Sequence, residues 1–412
     1  MKIKVAHFSD LHYSAENLLE ADKCFEAAVT GAILNSVDCA IVTGDSTDHA
    51  MDAHSPAVHA LAVQLRRLSN HCPVLMLQGT FSHEPPGFLR TLAMVGGKYG
   101  IAVADGISRW MLEGNQFVPF HDHGIARLVI SALPTINKAH VAALVEDAPD
   151  ETAVEVRAII KNLLLSWDQF HQALRVKGIP TMILSHGTVF NCINEHGVPM
   201  AGADHELGID TLFGAGADVV ALGHIHKHQH WEQSVMLSMK EVRQVIAYAG
   251  SIGRFHHGEQ GDKGWLSWTL GAPEGTLMEL MVTPSRRNVD FVFEGPPDLD
   301  EIRSRLHECE GAHVRIQYSI DEEHRHHVNR AAIRKLLENA ADVQIEGRTC
   351  IVQRQRAEGI SKVSLSEKLA MWATVTATPN VEELQERLQM ISANPVDQVV
   401  EESVARVQAS CA

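Results

Sequence analysis

The sequence predicts a layered α/β fold that gives way to a small α+β segment and then to a helical tail. Three observations carry this. Over roughly the first 270 residues, short β-branched or apolar runs alternate with longer helical patterns, which is how layered α/β folds are written. From about Gly275 the strand-like stretches interleave with short helical ones, and after Gly359 they stop. At 412 residues the chain is long enough for two or three domains around at least one sizeable core.

The elements follow in order. Ile3 to Phe8 reads as the first strand, and Glu16 to Asn35 as a helix, because Leu18, Phe25, Val29 and Ile33 recur at helical spacing and turn one face to a sheet. Further strands are expected at Cys39 to Thr43, Val74 to Leu77, Arg127 to Leu133, Thr181 to Leu184, Val219 to Leu222 and Gln244 to Ala249, with a long helix from Glu151 to Leu174. In the α+β segment the strands are Leu277 to Val282, Val289 to Phe293, Val314 to Tyr318, Val343 to Glu346 and Thr349 to Gln353. Its helices are Leu299 to Cys309 and Val328 to Asn339. In the tail, Leu365, Leu369 and Trp372 stand at i, i+4, i+7, and Val381, Leu384, Leu388 and Ile391 repeat the arrangement after Pro379, which predicts a pair of amphipathic helices. The expected domains are 1–272, 273–358 and 359–412.

Composition narrows the class. Apolar residues are 45% of the chain and charged residues 21%, close to globular averages, which excludes extensive disorder and collagen-like repetition. No window approaches about 18 uninterrupted apolar residues, and Met1-Lys2-Ile3-Lys4-Val5 leads straight into a strand, so a cytoplasmic protein is expected. The seven cysteines are scattered, without any Cys-x-x-Cys pair, and read neither as disulfides nor as a zinc knuckle. A net charge of −16 argues against nonspecific adhesion to nucleic acid by the whole surface. The chain is rich in histidine, with 25, and imidazole is the commonest ligand for transition metals.

Polar residues with metal-binding side chains recur where the predicted strands end: Ser9-Asp10-Leu11-His12, Gly44-Asp45, Ser185-His186-Gly187 and Gly223-His224-Ile225-His226. In open α/β sheets the carboxyl ends of the strands form the ligand crevice, so these endings can converge although they are scattered in sequence. Asp10 and His12 are two apart, as are His224 and His226; in an extended chain such side chains point the same way, so each pair can reach one site. Four imidazoles and two carboxylates suffice for a dinuclear centre bridged by one carboxylate. His121, His123, His256, His257, His324, His326 and His327 lie in polar stretches and are expected on a solvated surface.

In this order the residues resemble the calcineurin-like metallophosphoesterases. The motifs stand as Asp10-Leu11-His12, Gly44-Asp45-Ser46-Thr47-Asp48, a divergent Gly79-Thr80-Phe81-Ser82-His83-Glu84, His186, and Gly223-His224-Ile225-His226. Ala221 to Lys227, then Tyr248-Ala249-Gly250-Ser251-Ile252, then Lys263-Gly264 before a further strand, resemble in particular the SbcD nuclease subunit of the meiotic-recombination-eleven family. The likeness covers most of the first 270 residues; beyond them only the order of domains agrees.

The resemblance implies a four-layer α/β/β/α sandwich with a small α+β capping domain and C-terminal helices. It assigns Asp10, His12 and His226 to one metal and His186 and His224 to the other, with Asp45 bridging. It makes His83 the transition-state histidine, with Glu84 orienting its ring. The family's second-metal Asn is absent; Thr80 follows the glycine and Ser82 precedes the histidine, and Ser82 is taken as the oxygen ligand in its place. Two divalent ions, favoured as Mn2+, and a DNA phosphodiesterase with exonuclease and endonuclease activity follow from the likeness. So do an SbcC-like coiled-coil ATPase as partner, docked on the tail, and a homodimer. Two other functions share this core: a small-molecule phosphodiesterase or phosphoprotein phosphatase, and a non-catalytic DNA-end clamp.

Overall fold

The computed structural model describes residues 2–52, 54–135, 149–200, 207–237, 240–272, 275–350 and 364–410. The chain forms two compact units, the first made of Met1–Phe293, Pro297–Gln317 and Asn329–Glu346, the second of Glu294–Pro296, Tyr318–Val328 and Gly347–Ala412.

Two sheets dominate the first unit. One has six strands: β1 (Ile3–Phe8), β2 (Cys39–Val42), β3 (Val74–Leu77) and β4 (Ile101–Ala104) run parallel, and β12 (Gly264–Ala272) and β13 (Gly275–Val282) add antiparallel beside β1, in the order β13-β12-β1-β2-β3-β4. The other has seven, in the order β10-β11-β9-β8-β7-β5-β6. These are β5 (Ser108–Glu113), β6 (Gln116–Pro119), β7 (Ala126–Leu133), β8 (Thr181–His186), β9 (Val219–Gly223), β10 (Gln229–Leu237) and β11 (Lys240–Tyr248). Its parallel centre is β7-β8-β9-β11.

Period-2 burial on both faces makes the layers. Ile3, Val5, Ile41, Leu75 and Leu77 of the first sheet meet Ile130, Leu184, Val219, Ala221 and Val245 of the second in one apolar cluster. The opposite face of the first sheet, with Phe8, Val42 and Met76, is covered by α1 (Leu18–Leu34) and α2 (Pro56–His71) through Phe25, Val29, Leu61 and Leu65. After the short α3 (Phe88–Ala93), the outer face of the second sheet is covered by α4 (Pro149–Ser166) and α6 (Ile209–Gly214), through Ile160, Leu164 and Leu212 against Ile183, Val220 and Ile246. The result is the α/β/β/α sandwich, and it presents the carboxyl ends of β1, β2, β3, β8 and β9 together.

Several elements depart from the sequence reading. The helix expected from Glu151 to Leu174 is two, α4 and α5 (Asp168–Val176), divided at the buried Trp167. Leu277 to Val282, expected in the α+β segment, belongs to β13 and completes the first sheet. That segment's sheet is β14 (Asn288–Glu294), β15 (His313–Asp321) and β16 (Asp342–Cys350) in that order. The two strands expected at Val343 to Glu346 and Thr349 to Gln353 are the single β16, and Gln353 lies outside the described residues. The helix expected over Leu299 to Cys309 is broken into α7 (Leu299–Ser304) and α8 (Leu306–Cys309), and α9 is Arg330–Leu336. Among its described residues the tail has three helices where two were expected: α10 (Leu365–Thr376), α11 (Val381–Ala393) and α12 (Val396–Ser410). Cys24, Cys39, Cys72, Cys192, Cys309 and Cys350 are free thiols, and Cys411 lies outside the described residues. Among the described residues no helix is long and apolar enough to cross a membrane.

Candidate metal centre

The strand ends reach one place by sharp turns, not by continuing as extended chain. Asp10, His12, Asp45 and His224 all have positive φ, at 49°, 45°, 52° and 98°. Left-handed backbone at non-glycine residues costs of order 1–3 kcal/mol each and persists only where the surroundings hold it. Here they do. Asp10 N–H donates to the Gly44 carbonyl and His12 N–H to the Asp45 carbonyl, both at 3.1 Å, which ties the turn after β1 to the turn after β2. His224 N–H donates to both Asp10 carboxylate oxygens, again at 3.1 Å, which ties in the turn after β9. Gly44 has φ 97°, and a Cβ there would collide with the His186 ring and the Gly79 backbone; one at Gly79 would collide with Asp45.

The side chains gather as three overlapping groups: Asp10, His12 and His226; His12, Asp45 and His83; and Asp45, His186 and His224. Within each group the ligand atoms lie within 4.8 Å of one another. The Nε2 atoms of His12 and His226 are 2.8 Å apart, and Asp10 Oδ1 is 3.9 Å from His12 Nε2. Asp45 Oδ2 lies 3.1 Å from His186 Nε2 and 2.9 Å from His83 Nδ1. His186 Nδ1 donates to the Thr43 carbonyl at 2.7 Å, which turns Nε2 toward Asp45. His224 and His226 fall in different groups, His226 with Asp10 and His12 and His224 with Asp45 and His186.

The loop after β3 corrects two further expectations. Thr80, not Ser82, touches the shared carboxylate: its N–H donates to Asp45 Oδ1 at 2.7 Å and its hydroxyl to Oδ2 at 3.1 Å, with His186 Nε2 3.3 Å from the same hydroxyl. Ser82 is exposed, and its carbonyl accepts the Ala50 N–H. A turn explains the difference, since His83 and Glu84 N–H both donate back to the Thr80 carbonyl and the intervening residues are looped outward. Glu84 does not orient the His83 ring through any hydrogen bond. It is buried beneath the loop, where Oε1 accepts the Ser46 N–H at 2.6 Å and Oε2 the Gly79 N–H at 2.7 Å, and so braces two ligand loops against each other. Asp48 lies with one oxygen 3.3 Å from His12 Nδ1.

The electrostatics follow from burial around the Asp45 charge. Burial alone would raise the Asp45 pKa, but His186 and His83 hold it well below the usual carboxylate range. Burial likewise opposes protonation of His186, and Asp45 outweighs it, pushing His186 up to about 9. Burial, then the neighbouring His186, lowers His224 to about 4. Burial lowers His12. The Asp45 contact raises His83, whose side chain is 29% exposed. Burial and the Asp45 charge raise Glu84 to about 7.

No protein-family model matches the chain, and neither does any curated protein. Among solved structures, the chain is similar to a dimetal phosphatase from Danio rerio, at 12% identity and a TM-score of 0.38, over 69% of this chain and 99% of that one.

The donor set fits divalent cations. Converging imidazole nitrogens, a carboxylate common to two groups, and no sulfur suit manganese, iron or zinc. His12 Nδ1, His83 Nδ1 and His226 Nδ1 are buried without a hydrogen-bond partner of good geometry, as expected of rings aimed by another demand. Sequence reading gave no role to Asp48, although it stood in a quoted motif, and missed Glu259, whose Oε1 is 3.9 Å from His226 Nδ1. Of the histidines expected on the surface, His257 is not there: its side chain is 2% exposed, with Nε2 3.7 Å from Asp290.

Proposed function

We propose that the chain is a metal-dependent phosphodiesterase acting on DNA, an SbcD-like nuclease subunit that works with an SbcC-like coiled-coil ATPase in DNA end processing. The observation that carries the reading is the gathering of Asp10, His12 and His226 on one side of Asp45 and of His186 and His224 on the other. Two divalent ions held there, manganese in this proposal, would act as Lewis acids on both sides of an in-line displacement at phosphorus and lower the pKa of water toward neutrality.

The chain's own groups do the rest. Asp45 offers one carboxylate to both groups, held by the Thr80 N–H and hydroxyl. His83, whose pKa the Asp45 contact raises and whose side chain is open, is placed to donate a proton to a leaving oxygen or to a phosphate oxygen. Thr80 stands where the family's Asn would, and a hydroxyl is a weaker oxygen donor than a carboxamide, so a second ion would be held chiefly by Asp45, His186 and His224. The DNA assignment and the ATPase rest on the sequence likeness and on the helical tail.

The test is cleavage of single-stranded DNA and of a chromogenic phosphodiester by the purified protein, with a phosphomonoester in parallel. Manganese-stimulated diester cleavage that stops with chelator is expected. Activity undiminished by chelation would sink the metal mechanism, and preference for the monoester would sink the nuclease assignment.

A further inference from the structure

We infer that the buried Glu259–Lys263 ion pair is a positioning device for His226, an inference that rests on reading His226 as a metal ligand. Both side chains are 0% exposed, and Lys263 Nζ lies 2.5 Å from Glu259 Oε2. A buried pair of this kind is seldom the most stable filling for a core, and apolar residues of the same volume often do as well or better. What the pair touches gives it a use. Lys263 Nζ donates to the carbonyl of His226 and to Ser251 Oγ, both at 2.9 Å. Glu259 Oε1 accepts the Phe255 and His256 N–H groups, at 3.3 and 2.9 Å, and lies 3.9 Å from His226 Nδ1.

The His226 ring is thus addressed from two sides. Its Nδ1 is buried with no hydrogen-bond partner and faces a carboxylate; its Nε2 faces the His12 Nε2 at 2.8 Å. A neutral imidazole has one N–H. A negative charge on the Nδ1 side favours the hydrogen there, which leaves the Nε2 lone pair directed at the Asp10 and His12 group. Lys263 supplies the counter-charge that lets Glu259 stay ionised in the core, and by holding the His226 carbonyl it fixes the backbone from which the ring hangs. One ion pair therefore governs both the tautomer and the placement of one ligand, while making no contact with the Asp45, His186 and His224 group that any bond or ion pair among the described residues shows.

The experiment is calorimetric titration of the full chain with Mn2+ alone, without DNA, together with thermal melting. The double variant Glu259→Gln/Lys263→Met removes both charges at once, so no unpaired ion is left in the core. It should melt near the parent protein and bind one manganese equivalent about 10- to 100-fold more weakly, with the other unchanged. Glu259→Asp keeps the ion pair but withdraws the carboxylate by one methylene, and should show a smaller loss at the same equivalent. Parental affinity at both equivalents in either folded variant overturns the inference and leaves the function intact. If the parent protein binds no manganese, the ligand reading itself falls, and the inference with it.

Discussion

Asp45 is the residue on which both metal groups depend. Its two oxygens are engaged by Thr80, His83 and His186 at 2.7 to 3.1 Å, and among the described residues it is the one shared by the His12–His83 group and the His186–His224 group. Asp45→Ala should therefore abolish binding of both manganese equivalents, whereas Ser82→Ala, at an exposed position, should change neither; equal losses in calorimetry would contradict this placement. His83 is different in kind. Replacing it by Ala should leave metal bound and the fold intact while lowering turnover by about 10² to 10⁴, the usual worth of one general acid. Loss of metal instead would make His83 a ligand, which its 2.9 Å approach to Asp45 also permits geometrically. At this scale the sequence was informative about residue types and poor about directions. Asp10, His12, Asp45, His186, His224 and His226 were legible because each closes an apolar run. The exchange of Ser82 for Thr80 was not, since it depends on a turn back to the Thr80 carbonyl that two extra loop residues do not announce.

Among the elements, the parallel strands were the most readable, because strands buried on both faces appear as continuous apolar runs. The strands missed were β4, β5, β6 and β10, and β10 shows one reason: its Gln229, Glu232, Gln233 and Ser234 give an edge strand no apolar run to recognise. The division between α4 and α5 leads to a pH effect. His171 on α5 is fully buried, its Nδ1 donating to the Ala215 carbonyl at 2.7 Å and its Nε2 accepting from Ser131 of β7 at 2.9 Å. This is a neutral ring, and burial lowers its pKa to about 4. The folded chain refuses a proton that the unfolded chain takes up near the ordinary value. Stability should therefore be undiminished above about pH 6.5 and fall as pH drops toward about 4, by at most ~3 kcal/mol from this ring. His171→Gln should be less stable at pH 7 yet show a flatter decline between pH 7 and 5 in urea titrations. An unchanged slope would show that His171 does not govern the acid limb.

For the whole molecule, the helical tail is the surface on which the proposed partner would dock. Two apolar stripes are readable from the spacing; the structure adds a third on α12, legible afterwards in Val396, Val400 and Val404 behind Pro395. These helices leave much of their apolar surface in solvent, with Leu365 at 64%, Ile391 at 60% and Val396 at 78% exposure, and among the described tail residues Ala373 is the buried apolar side chain. A Leu or Ile carried from water into an interface contributes roughly 1.5 to 3 kcal/mol, so several of them covered together would sustain a stable association. In the reading proposed for this chain, the coiled-coil base of the ATPase covers them in helix-to-groove fashion. Deleting residues 359–412 should then abolish co-purification with that ATPase while sparing manganese-dependent cleavage of short single-stranded DNA, because every residue of the metal centre lies before Glu294. Should the truncated chain fail to fold, the stripes serve this protein's own stability; should it still bring down the ATPase, the partner docks elsewhere. Either result would remove the tail from the interface, while the metal centre would stand on its own titrations.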